Sequence, residues 1–214
     1  MRRPGKDVVM LVPVDLPTPA AMRGRWAAFA AICTARGWTD TCHADGPRWH
    51  YDDGGGNWAD LVHVGEGRAV LLGHDHEYSD TYYAQAAAYF DEPETDLLAG
   101  TPDWWAPPVR AAATPESWVG FAYGFDGTAW WRAEYDLDDG FKSLALPAVD
   151  AARYRELAAD FSEDAPGRDG PPDEAALEAL AAADGDITPA LLRTVVGPEW
   201  DADAGAAAAR RFRA

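Results

Sequence analysis

Two apolar segments joined by a glycine turn constrain this chain most. "WADLVHV" (58–64) and "RAVLLGHDH" (68–76) flank Gly65-Glu66-Gly67. Alternating apolar runs on either side of such a turn specify a β-hairpin. Side chains alternate along a strand, so Val70, Leu72, His74 and His76 share one face. Ala69, Leu71, Gly73, Asp75 and Glu77 share the other. A second hairpin, "WVGFAYGF" to "TAWWRAEYD", turns at Asp126-Gly127, with Phe125 expected opposite Thr128 and Tyr123 opposite Trp130. Trp118, Ala122, Trp131 and Tyr135 fall on one of its faces. Phe121, Tyr123, Phe125 and Trp130 fall on the other, so both faces need cover. "RWHYD" (48–52) reads as a further strand, residues 7–14 as an opening one, and "FKSLALP" as one after the 138–140 turn.

Helical signals bracket these strands. Thr18-Pro19 is an N-cap followed by proline at the first helical position, and Gly37 is a stop. Between them Trp26, Phe29, Ala30 and Cys33 recur at helical spacing. Ser79 or Asp80 is expected to cap a helix running to Phe90, with Tyr82, Ala86, Tyr89 and Phe90 on its apolar side. Further helices follow Asp150, Asp173 and Thr188-Pro189. The expected architecture is α+β: an antiparallel sheet built from hairpins, with N-terminal and C-terminal helices packed on it. Residues 1–163 form the α+β core domain, and 173–214 a small helical annex after the Pro/Gly linker "EDAPGRDGPP", unless the two make one domain.

Charge narrows the partners. The formal net charge of −18 is uneven. Residues 51–100 carry eleven acids and one base, Arg68. Phosphate backbones are bound by Lys and Arg, so nucleic acid is excluded as a partner, and anionic membranes with it. A basic protein is attracted. No stretch reaches the roughly 20 apolar residues of a membrane helix. The seven-residue run Val8–Val14 is broken by Pro13 and followed by Asp15, too short for a secretory signal, so a cytoplasmic protein is expected. Cys33 and Cys42 form neither a C-x-x-C pair nor a disulfide framework. Nucleotide-loop and serine-elbow motifs are absent, and the 173–196 helices carry one base, Arg193, which excludes a DNA-reading pair.

Two functions from different classes remain. The leading one is a soluble acidic protein-binding module of the inhibitor or immunity type, directed at a basic partner. Its expected contact surface is Asp52, Asp53, Glu94, Asp96, Asp138 and Asp139 on acidic loops, with Trp104 and Trp105 as aromatic anchors. The alternative is a metal-dependent hydrolase or oxygenase using "GHDHEYSD". Two imidazoles on one strand face stand about 6–7 Å apart. His74 and His76 with the carboxylate of Asp80 would suit Zn, Fe or Mn with open positions for substrate. An H-x-H pair is a weak pattern by itself, and the same residues suit a solvated strand end.

Overall fold

The computed structural model describes residues 10–213. The antiparallel α+β architecture is present. The chain runs β1 (Leu11–Val14), α1 (Pro19–Arg36), β2 (Cys42–Asp45), β3 (Arg48–Asp52), β4 (Trp58–Gly65) and β5 (Arg68–His74). After α2 (Gln85–Phe90) and α3 (Ala106–Ala112) come β6 (Phe121–Phe125) and β7 (Trp130–Ala133). It closes with α4 (Phe141–Leu144), α5 (Ala151–Asp160), α6 (Glu174–Ala182), α7 (Pro189–Val196) and α8 (Ala202–Ala209). The strands form one seven-stranded sheet in the order β1-β7-β6-β5-β4-β3-β2. The part of the opening-strand expectation that falls on residues 7–9 lies outside the described residues.

α1 begins and ends where its caps dictate. Thr18 accepts the Ala21 N–H, and Gly37 takes the left-handed conformation at φ 95°. Every residue from Trp26 to Cys33 is buried. A helix apolar all round needs cover on every side. The sheet supplies one side, and α5, α6, α7 and α8 supply the rest. Leu177, Leu180, Leu192, Val196 and Ala209 share one core with α1 and with Trp49, Leu61 and Phe121 of the sheet. Gly205 of α8 approaches so closely that an added Cβ would overlap the Ala31 carbonyl.

The second sheet face is covered only in part. Tyr83, Leu97, Trp105 and Val109 pack over Val70, Leu72 and Ala122. Gly124 makes room for the Trp105 indole, since a Cβ there would occupy the ring's position. This cover reaches β5, β6 and β7, touches Trp58, Val62 and Val64 of β4 in part, and leaves the face of β3 open.

Four local expectations are revised. The strand expected at "FKSLALP" is the helical turn α4, begun at Gly140 with φ 77°. Residues 79–84 are not helical, because their polar groups bond to distant loops, as Thr81 does to the Gly120 carbonyl. The β6–β7 register is shifted by two, pairing Phe125 with Trp130. Asp126 widens that loop by accepting from the Thr128 and Ala129 N–H groups and the Trp131 indole. A shift of two preserves facing, so Ala122 and Trp131 stay on one face and Phe121 and Trp130 on the other. β2 is an additional strand, paired so that His43 opposes His50.

Candidate functional site

The open half of the second face forms the floor of a groove of about 720 Å³. Strand alternation brings its residues together. Arg48, His50 and Asp52 of β3 lie opposite Val62, Asp60 and Trp58 of β4. Leu72 and His74 of β5 continue the same face, with His74 opposite Trp58. Pro108, Ala111 and Ala112 of α3 and the segment Glu116–Trp118 form the wall.

Asp60 is the polar centre of this floor. It is 5% exposed, which is rare for a carboxylate without partners. Its Oδ1 lies 2.6 Å from His50 Nδ1, and Arg48 Nη1 stands 3.5 Å from its Oδ2. A buried carboxylate needs this kind of pairing. The contact engages the Nδ1 side of the His50 ring and leaves Nε2 out of it. His43 packs on His50 at 4.9 Å between ring centroids. Burial, then the neighbouring His50 and Arg48, lowers the His43 pKa.

The residues expected to bind metal are only partly assembled. His74 ends β5 and lines the groove. Its Nδ1 is buried without a hydrogen-bond partner among the described residues. Burial, reinforced by His76, lowers its pKa. The strand stops there, two residues earlier than expected, because Asp75 closes a turn. The buried Asp75 carboxylate accepts the N–H groups of Glu77 and Tyr78, and Ser79 Oγ accepts the Asp75 N–H. His76 is exposed at the groove rim, its N–H donated to Asn57 Oδ1 at 2.7 Å. Asp80 is exposed beyond the turn and is not among the groove residues, its N–H donated to the Asp138 carbonyl. Among the described residues no group of three or more His, Cys, Asp or Glu stands close enough to hold a metal ion.

The residues expected to contact a partner are spread over several loops. Asp52 lines the groove and accepts the Gly54 N–H through Oδ1. Asp53 caps the 54–57 turn through Gly55 and Asn57. Glu94 and Asp96 are exposed, and accept the N–H groups of Ala84 and Leu98. Asp138 is exposed and caps Gly140. Asp139 accepts both the Tyr123 and Tyr135 hydroxyls, at 2.6 and 2.8 Å. That bonding makes it a fixed part of the framework, and burial together with its charge raises both phenol pKa values. Trp104 is half-buried, whereas Trp105, expected as an anchor, is 1% exposed and belongs to the core over Gly124.

Two features escape the sequence reading. One is the Arg48–His50–Asp60 set, whose only signal is a charged residue between Ala59 and Leu61 in an apolar strand. The other is an aromatic cluster joined to the groove through Trp118. Phe90 and Tyr89 lie 4.7 and 5.1 Å from Trp118, and Tyr82 lies 5.4 Å from Phe90. Tyr89 is 72% exposed and Phe90 44%, so these two residues of the expected apolar side face outward, whereas Ala86 is buried. Asp91, Glu92 and Glu94 are exposed on the loop that follows. No protein-family model, curated protein or solved structure matches this chain.

Proposed function

We propose that this protein is an acidic binding module of the inhibitor or immunity type, and that it captures a basic protein. The observation that carries the reading is the outward-facing cluster of Tyr82, Tyr89, Phe90 and Trp118 beside the carboxylates of Asp91, Glu92 and Glu94. Scattered exposed apolar residues are ordinary, but contiguous aromatic rings mark contact surfaces. Aromatic anchors supply most of the binding energy in such interfaces, and charged rims set approach and partner choice. A net charge of −18 steers a basic partner toward the face. The contact surface is therefore centred on these rings, with Asp52 and Glu94 on its acidic margin.

The test is capture at low salt, followed by binding measurements with the purified partner. Tyr89→Ala/Phe90→Ala is expected to weaken the complex by about thirtyfold or more, the effect of losing a hot spot of about 2 kcal/mol. An unchanged affinity contradicts the reading.

His74 and His76 lining one groove favours a second reading, a metal-dependent hydrolase or oxygenase, in which Asp80, now outside the groove, would have to move to join them as a third ligand. Near-stoichiometric Zn, Fe or Mn in untagged protein, lost from His74→Ala/His76→Ala, would support it.

A further inference from the structure

The groove and the aromatic cluster share one residue. Trp118 packs tilted against Tyr89 and edge-on against Phe90 on one side and lines the groove on the other. A protein seated on the cluster therefore stands beside the groove. The groove has the chemistry of a receptor for a flat organic cation. Two indoles, Trp58 and Trp118, line it, and ring faces attract guanidinium groups. Its carboxylates are unequally used. Asp60 is already paired with His50 and Arg48. Asp52 keeps Oδ2 open after accepting one N–H through Oδ1. Glu116 is exposed at the wall and has no ion pair among the described residues. Among the described residues Arg48 is the one Arg or Lys lining the groove, and Asp60 offsets it. Asp52 and Glu116 therefore supply the unspent negative charge, beside the unpartnered His74 Nδ1 and Trp118 Nε1, while Val62, Leu72 and Pro108 offer apolar contact to an aliphatic stem.

We propose that the groove is the specificity pocket of the interface and receives one arginine side chain of the basic partner, stacked on Trp58 and Trp118 and charge-paired with Asp52 and Glu116. This inference rests on the protein-binding reading and adds the group that is recognised. Arginine fits better than lysine because its planar fork stacks on indole and engages a carboxylate through two parallel bonds.

The full chain is titrated with N-acetyl-L-arginine methylamide and with its neutral isostere, the citrulline analogue. The readout is the indole N–H signals of Trp58 and Trp118 and the imidazole signals of His50. Saturable shifts at these three residues are expected, with the citrulline analogue at least about tenfold weaker, since the charge-assisted bonds are lost. Asp52→Asn/Glu116→Gln keeps an oxygen for the Gly54 N–H and is expected to weaken the arginine probe by about tenfold, with unchanged circular dichroism. Equal binding of the two probes, or no saturable shift at Trp58, Trp118 and His50, overturns the proposal. The two readings fail separately. A captured partner sensitive to Tyr89→Ala/Phe90→Ala but indifferent to Asp52→Asn/Glu116→Gln removes the arginine pocket and keeps the docking face. A probe that binds the groove in a chain whose partner ignores the aromatic cluster keeps the pocket and removes that face.

Discussion

Asp60 Oδ1 and His50 Nδ1 meet at 2.6 Å across the β3–β4 ladder, on the floor of an open groove. The pair is buried on one side by the sheet and faces the groove on the other, so it both satisfies a costly carboxylate and fixes a ring nitrogen. Asp60→Ala leaves His50 and Arg48 without their shared acceptor. A loss of about 1–3 kcal/mol is expected in urea denaturation. Asp60→Leu/His50→Phe, which removes both polar partners, should cost less than the sum of the two single changes. Strict additivity would mean the pair contributes no coupling.

Gly124 and the Trp105 indole make the second tight fit. Gly124→Ala puts a methyl where the ring lies. Overpacking of this kind costs about 1–3 kcal/mol, measurable as a lower denaturation midpoint. Gly127→Ala is the control, since its Cβ would meet no neighbouring atom, although φ 100° adds backbone strain there. Loss of the near-ultraviolet tryptophan signal should accompany the first change and not the second.

Stability should fall as pH drops through the histidine range. Burial lowers the pKa values of His43, His63 and His74 in the folded chain. The unfolded chain then binds more protons than the folded one below the ordinary histidine pKa of about 6.5. Unfolding is favoured as pH falls, and the stabilisation is fully present above that value. Urea midpoints measured between about pH 7 and pH 5 should decrease, and less so in His63→Phe, which packs beside Trp49. The carboxylates whose pKa values are lowered, Asp126 by its loop hydrogen bonds and Asp184 by Arg23, lose their contribution only in more acidic solution. A flat profile across the histidine window would contradict the burial of these rings as neutral groups.

The C-terminal helices complete the core around α1. A fragment ending at residue 163 would expose the α1 side that Leu177, Leu180, Leu192 and Ala209 cover. It should lose the cooperative unfolding transition of the full chain, monitored by circular dichroism. A fragment with a sharp transition of its own would establish 173–214 as a separable annex.

What was legible in the sequence follows from how local its signals are. Thr18, Pro19 and Gly37 bound α1 with short-range bonds. Gly65-Glu66-Gly67 and the alternation on either side place Leu72 and His74 on one face without reference to anything distant. The misread segments answer to remote partners. Residues 79–84 are held by Gly120 and by Asp138 and Asp139, far along the chain. The β6–β7 register is set by a side chain, Asp126, rather than by the Asp-Gly turn itself. The candidate site was half legible for the same reason. His74, His76 and Asp52 sit in readable strand and turn positions, while the partnership of His50 with Asp60 needs the β3–β4 register. The exposure of Tyr89 and Phe90 was hidden because aromatic residues at helical spacing ordinarily face a core.

We propose that the Tyr89–Phe90–Trp118 face, with its acidic margin, binds a basic protein. The most direct measurement is the association rate of the purified partner with wild-type protein and with Tyr89→Ala/Phe90→Ala, at about 0.05 and 0.5 M salt. The rate should fall steeply with salt in both proteins, because charge steers the approach, and the complex should dissociate much faster in the variant, because the rings hold it. A rate indifferent to salt, together with equal dissociation of the two proteins, would contradict it.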